Sequence, residues 1–152
     1  MKMNYDELVH KGLIKQFRVS PEQVKNRLTL AQRDIAAARA MMATDRDWAF
    51  SMAYNAVLQA TRALIFAKGF RPGTGEGQHK VAVRFAEITL GETFRDEIYV
   101  FDKMRSKRHR VIYDVSGLIS KREAVHAFDF AERFVEAVST IVHDLSREMS
   151  KA

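Results

Sequence analysis

Along most of the chain, apolar residues recur at spacings of three and four, the period of a helix with one buried face, rather than in the alternation of a half-buried strand. The punctuation between these stretches divides them into helices. A short first helix is predicted over about residues 4–16. Ser20-Pro21-Glu22-Gln23 reads as an N-cap, a proline at the first helical position and a capping-box glutamine, opening a second helix that runs to about Ala43. A third spans about Asp45 to Lys68 and ends at Gly69, with Pro72 just beyond. The fourth covers Gln78 to Leu90 and is broken by Gly91, and the fifth begins near Glu92 and continues at least into the segment starting at Lys103. Ser120-Lys121-Arg122-Glu123 is a second capping box, starting a last helix to about Met149 whose buried stripe is Ala124, Phe128, Ala131, Val135, Val138, Val142 and Leu145.

These elements predict an all-α fold, an antiparallel up-and-down bundle of five to six helices. The 152 residues form one domain with its core over about 20–148, the short helix of residues 1–17 before it, and a flexible loop at 69–77. That loop holds four of the seven glycines, but it lacks the Gly-Lys-Ser/Thr ending and the preceding strand of a phosphate-cradling P-loop. Within the third helix, Ala49, Ala53, Ala56, Ala60, Ala63 and Ala67 make a seam of small residues that lets a neighbour approach closely. This helix is therefore placed centrally, with Trp48, Met52, Leu64 and Ile65 packed around it, and Ser51, Asn55, Gln59 and Arg62 as a narrow polar stripe.

Composition narrows the chemistry. The chain has no cysteine, which removes disulfides and thiolate metal sites and is compatible with a reducing cytosol. The start, MKMNYDELVHKGL, lacks the apolar run of a signal peptide, and no 18-residue apolar stretch occurs, so a cytoplasmic location without membrane association is expected. The net charge is +6, from 25 basic and 19 acidic residues. Five of the basic residues, Lys103, Arg105, Lys107, Arg108 and Arg110, fall in one acid-free stretch of eight, leaving 20 basic against 19 acidic residues elsewhere. A focused excess of this kind attracts phosphate, where a diffuse one would only aid solubility.

On the fifth helix, Phe94, Ile98, Phe101 and Ile112 all project within about 40° of Arg105. Arg105 therefore lies mid-stripe on an apolar face, where an arginine needs a carboxylate, a phosphate or a subunit interface as partner. Asp102, three residues earlier, is the nearest carboxylate; His109 and Tyr113 fall on its side of Arg105 and Arg108 on the other.

The run Arg105-Ser106-Lys107-Arg108-His109-Arg110-Val111-Ile112-Tyr113-Asp114 resembles the signature of HEPN domains, an arginine followed by a polar residue, a short spacer and a histidine. The segment from Ala53 to Leu64, the stretch Lys68-Gly69-Phe70-Arg71-Pro72 and the helix start Gln78-His79-Lys80 are also similar to small prokaryotic HEPN proteins, so that the resemblance spans about residues 20 to 148. It implies a helical bundle that dimerises and brings two motif helices into one cleft. Many members are metal-independent endoribonucleases, often toxins beside a minimal nucleotidyltransferase antitoxin; others have lost catalysis and bind a nucleotide or a partner.

Carried onto this chain, the motif arginine is Arg108 with His109 as its follower, which puts Tyr113 where the motif histidine belongs. Alternatively the pair is Arg105 and His109, with a shorter spacer than usual. The resemblance thus implies Arg105, Arg108, His109 and Tyr113 as the catalytic set, with Lys103, Lys107, Arg110, Asp102 and Asp114 contacting RNA. Cleavage without metal needs a base for the 2′-hydroxyl, an acid for the leaving oxygen and cations for the developing charge. An imidazole titrates near neutrality, whereas a phenol, with a reference value of about 10, is a weak base, so this reading depends on His109. His10, His79, His126 and His143 show no metal-ligand spacing and are expected to be surface or core residues; no metal or other cofactor is implied.

Overall fold

The computed structural model describes residues 4–74, 77–113 and 116–150 of the chain, with side chains described as far as residue 148. Among these residues six α-helices follow in order: α1 (Tyr5–His10), α2 (Pro21–Met41), α3 (Arg46–Ala67), α4 (Gln78–Leu90), α5 (Arg95–Tyr113) and α6 (Lys121–Ser150). They form the antiparallel bundle that the periodicity predicts. Both capping boxes are present. Ser20 Oγ accepts from the Gln23 amide at 3.2 Å while Gln23 Oε1 accepts from the Ser20 amide at 2.9 Å. The same exchange joins Ser120 and Glu123, at 3.1 and 3.2 Å. Such boxes satisfy amides at a helix start that have no partner within the helix.

The first helix is shorter than its pattern predicts. It stops at His10 because Gly12, at φ 72°, turns the chain, and Leu13 donates back to the Leu8 carbonyl at 2.9 Å. Residues Ile14–Gln16 then become a strand, β1, paired antiparallel with β2 (Phe70–Pro72) in the register Ile14 to Pro72. Part of the expected flexible loop is therefore an ordered edge strand. Gly73 seals the crossing: a Cβ there would lie 2.5 Å from the Gly12 carbonyl oxygen, so no other residue fits without a shift.

α3 is the central element, packing against α2, α4, α5, α6 and β2. All six alanines of its seam are buried, as are Leu64 and Ile65, whereas Trp48 is 53% exposed in the first turn and Met52 only half-buried. The small seam is what allows α2 and α6 to close on both sides of α3. α6 contributes a wider stripe than predicted, adding Ala127, Phe130 and Phe134 to Ala124, Ala131, Val135, Val138 and Val142, while Phe128 and Leu145 sit at its margin. Phe85, Phe101, Phe134 and Tyr54 are the largest side chains sealed in the core.

Gly91, at φ 71°, ends α4, and a single 3₁₀ turn (Glu92–Phe94) reverses the chain into α5, which lies along α4 and α3. The carboxylate of Asp47, in the first turn of α3, accepts from the amides of Gly117 at 2.7 Å and Ile119 at 3.3 Å, tying the segment after α5 to the bundle. None of the helices among the described residues is long and apolar enough to cross a membrane.

Candidate anion-binding site on the fifth helix

α5 buries Ile98, Phe101 and Met104 against the bundle, and the same face then turns from hydrocarbon to guanidinium at Arg105 and Arg108. Ile112, predicted to continue the apolar stripe, is 42% exposed, because the last turn of α5 runs past the elements that cover its middle. Arg105 is three-quarters buried along its side chain and donates through Nε to Asp102 Oδ1 at 2.9 Å, the predicted partner.

Arg108 lies over the ring of Tyr54, with its guanidinium carbon 5.4 Å from the ring centre. Its Nε is sealed from solvent and has no hydrogen-bond partner among the described residues. The cation lies on the face of an aromatic ring, and no carboxylate among the described residues is paired with it. Tyr54 is fully buried on α3, and its hydroxyl meets His79 Nδ1, on the first turn of α4, at 2.9 Å. The two rings stack 5.7 Å apart and 12° from parallel.

Charges in this corner act on one another. Burial drives the Tyr54 phenol far above its ordinary range, against the opposing pull of Arg108, Arg105 and Arg62. Burial, reinforced by the charges of Arg108, Arg62 and Arg105, pushes His79 down to about 4, so its imidazole is neutral at physiological pH. Its place in the first turn of α4, where a cation is disfavoured, acts in the same direction. Arg62, on α3, is itself made somewhat more acidic by burial and by Arg27 and Arg108. Three guanidinium groups thus converge beside a neutral phenol–imidazole pair, with Asp102 as the carboxylate paired among them.

The other sequence-predicted residues are placed differently. Lys107 is bonded to Glu123 of α6. Lys103 lies over the Tyr99 ring at 5.4 Å on the exposed side of the helix. His109 and Arg110 are exposed, and the His109 ring rests 4.8 Å from that of Tyr113, which is 70% exposed. Asp114 lies outside the described residues. The structure therefore joins Arg105 and Arg108 in one half-buried site and puts His109 and Tyr113 together on an open flank, about 100° and 140° round the helix from Arg108 but only about 40° and 80° from Arg105.

Tyr54, His79 and Arg62 are the members that sequence reading missed. One signal was available: a tyrosine set among the alanines of a close-packed seam carries a polar tip that needs a partner. That this partner is the histidine at the start of α4 is a tertiary fact which no spacing within either helix encodes. Beside the site, α4 and α5 enclose a cleft of about 480 Å³, whose walls include Lys80, Arg84, Arg95, Tyr99, Asp102 and Arg105. Among the described residues, no three His, Asp or Glu side chains gather as ligands for a metal ion.

An all-α bundle with a cationic helix packed beside its central helix, α3, is the class that this fold and site define. The chain matches the HEPN domain model over residues 24–141 and belongs to that family. Its fold is similar to that of TT1696 from Thermus thermophilus, known from a crystal structure, with a TM-score of 0.59 at 20% identity, covering 78% of this chain and 97% of that one. No curated protein matches the sequence.

Proposed function

We propose that this HEPN protein binds RNA through the face of α5 bearing Arg105 and Arg108. In this reading it acts as a homodimer whose two such faces form one cleft, and His109 serves there as the acid–base group of a metal-independent endoribonuclease. The observation that carries the reading is the guanidinium of Arg108, whose Nε has no partner among the described residues, fixed over Tyr54 beside Arg105 and Arg62. Fixed cations in a partly desolvated site bind phosphate and stabilise the charge that develops on a phosphorane. Lys103 and Arg110, exposed on the far side of the same helix, add to its long-range positive field.

In cleavage, the 2′-oxygen attacks phosphorus and the 5′-oxygen leaves, giving a 2′,3′-cyclic phosphate. His109 carries a proton between these oxygens, and the arginines stabilise the equatorial oxygens. The test is incubation of single-stranded RNA with the purified protein in EDTA. Cleavage leaving 2′,3′-cyclic ends and abolished by His109→Ala, with the fold intact, is the expected result.

A second reading is favoured by Tyr113, which occupies the motif histidine position and is exposed. Here the same basic face, with the adjoining α4–α5 cleft, takes a nucleotide or docks a nucleotidyltransferase partner without cutting RNA. Absence of cleavage of any RNA, with binding retained, selects this reading.

A further inference from the structure

His79 has no role in the family motif, yet the structure fixes it through both a hydrogen bond and a stacked ring. Its Nδ1 is taken by the Tyr54 hydroxyl, its ring is stacked on the Tyr54 ring, and the same phenol ring carries Arg108 on its face. Imidazole and guanidinium are therefore held by one buried side chain, close enough that the charge of Arg108 helps to keep the imidazole neutral. They differ in kind. Arg108 is a permanent cation suited to phosphate, whereas His79 is a neutral group at physiological pH, with no net charge to offer a phosphate.

The tautomer follows from the network. The Tyr54 phenol stays protonated, and its only hydrogen-bond partner among the described residues is His79, so the O–H donates to Nδ1. The imidazole hydrogen is then on Nε2, which has no partner among the described residues. A rigid, uncharged N–H donor beside a phosphate-binding guanidinium suits the sugar attached to that phosphate. The ribose 2′-hydroxyl is the group by which a protein distinguishes RNA from DNA.

Building on the RNA-binding reading above, we propose that His79, anchored by Tyr54, donates from Nε2 to a ribose 2′-oxygen while Arg108 holds the neighbouring phosphate, making His79 the residue that selects RNA over DNA. This separates two properties that a simple basic patch would merge. Phosphate affinity and its salt dependence belong to the arginines, and sugar discrimination belongs to the imidazole.

The full-length chain is titrated by fluorescence anisotropy, on ice, with a single-stranded oligoribonucleotide and with the same sequence as deoxyuridine-containing DNA, at several salt concentrations. The wild type is expected to prefer RNA by about tenfold, the worth of one well-placed hydrogen bond. His79→Ala should bring the ratio close to one, leaving DNA affinity and the salt slope unchanged; His79→Gln, which keeps a donor near the Nε2 position, should recover part of the preference. Tyr54→Phe retains the ring beneath Arg108 but frees the imidazole, so it should lower the ratio without changing the slope. Circular dichroism melting identifies any variant that does not fold, and the three substitutions do not depend on one another.

Folded His79→Ala and Tyr54→Phe proteins that keep the wild-type RNA preference would overturn the role of His79 while leaving RNA binding intact. Equal, salt-dependent binding of RNA and DNA by the wild type would do the same. Failure of the wild type to bind either strand would overturn the RNA-binding reading and this inference with it.

Discussion

Arg108 shows how one residue can be legible as important and opaque as to how. Its place in the run of basic residues marks it from sequence, but its aromatic platform is Tyr54 on another helix, and the burial that leaves its Nε without a partner among the described residues is tertiary. Arg108→Ala should weaken RNA binding roughly tenfold and reduce the slope of log affinity against log salt by about one. Arg108→Lys should recover the slope but only part of the affinity, since an ammonium lacks the planar fork that stacks on the ring. Equilibrium binding at three or more salt concentrations measures both. His79 carries a separate, pH-dependent signature. Its value falls from the ordinary 6.5 to about 4 on folding, so between those limits the unfolded chain holds a proton that the folded chain does not. Stability therefore falls as pH is lowered from about 6.5 to about 4. His79→Gln should flatten that part of the profile relative to wild type, as read from urea midpoints at neutral pH and near pH 4.5. A variant whose midpoint falls as steeply as the wild type would show that other groups cause the loss.

Secondary structure was legible where local chemistry decides it. Ser20 and Ser120 start helices through bonds to side chains three residues on, and Gly91 stops one by adopting a positive φ, all within a few residues of sequence. The β1–β2 pair was not legible, because Ile14–Gln16 lies some 55 residues from its partner and its pattern over three residues is too short to distinguish strand from helix. Trp48 illustrates the converse: its apolar character predicted burial, but it sits in the first turn of α3, where little packs over it. The seam on α3 makes a quantitative prediction. Ala56 and Ala60 are completely buried in a helix gripped from several sides, so Ala60→Leu adds three carbons where no space exists and should cost about 1–3 kcal/mol of stability. Chemical denaturation measures this directly. An unchanged midpoint would mean that the neighbouring helices can separate, contrary to the packing described.

For the whole molecule, the separation of Arg108 from His109 by about 100° around α5 bears on assembly. Arg108 and an acid–base group about 100° away on one helix do not face the same phosphate within a chain, but two chains related by a two-fold axis can bring Arg108 of one opposite the histidine of the other. The exposed apolar side chains along α5, Tyr99, Val100, Ile112 and Tyr113, offer contact surface for such a pairing. If each reaction centre draws its arginine from one protomer and its histidine from the other, Arg108→Ala and His109→Ala chains are each inactive alone, yet a mixed dimer contains one centre with both groups intact. Random reassortment of equal amounts makes half the dimers mixed, each with one working centre of two, so the mixture should regain about a quarter of wild-type cleavage per chain. Centres contained within one chain predict no recovery at any ratio. Co-refolding the two variants, verifying mixed dimers by native mass spectrometry and assaying RNA cleavage in EDTA distinguishes these outcomes, because the first requires geometry between protomers that neither chain has alone.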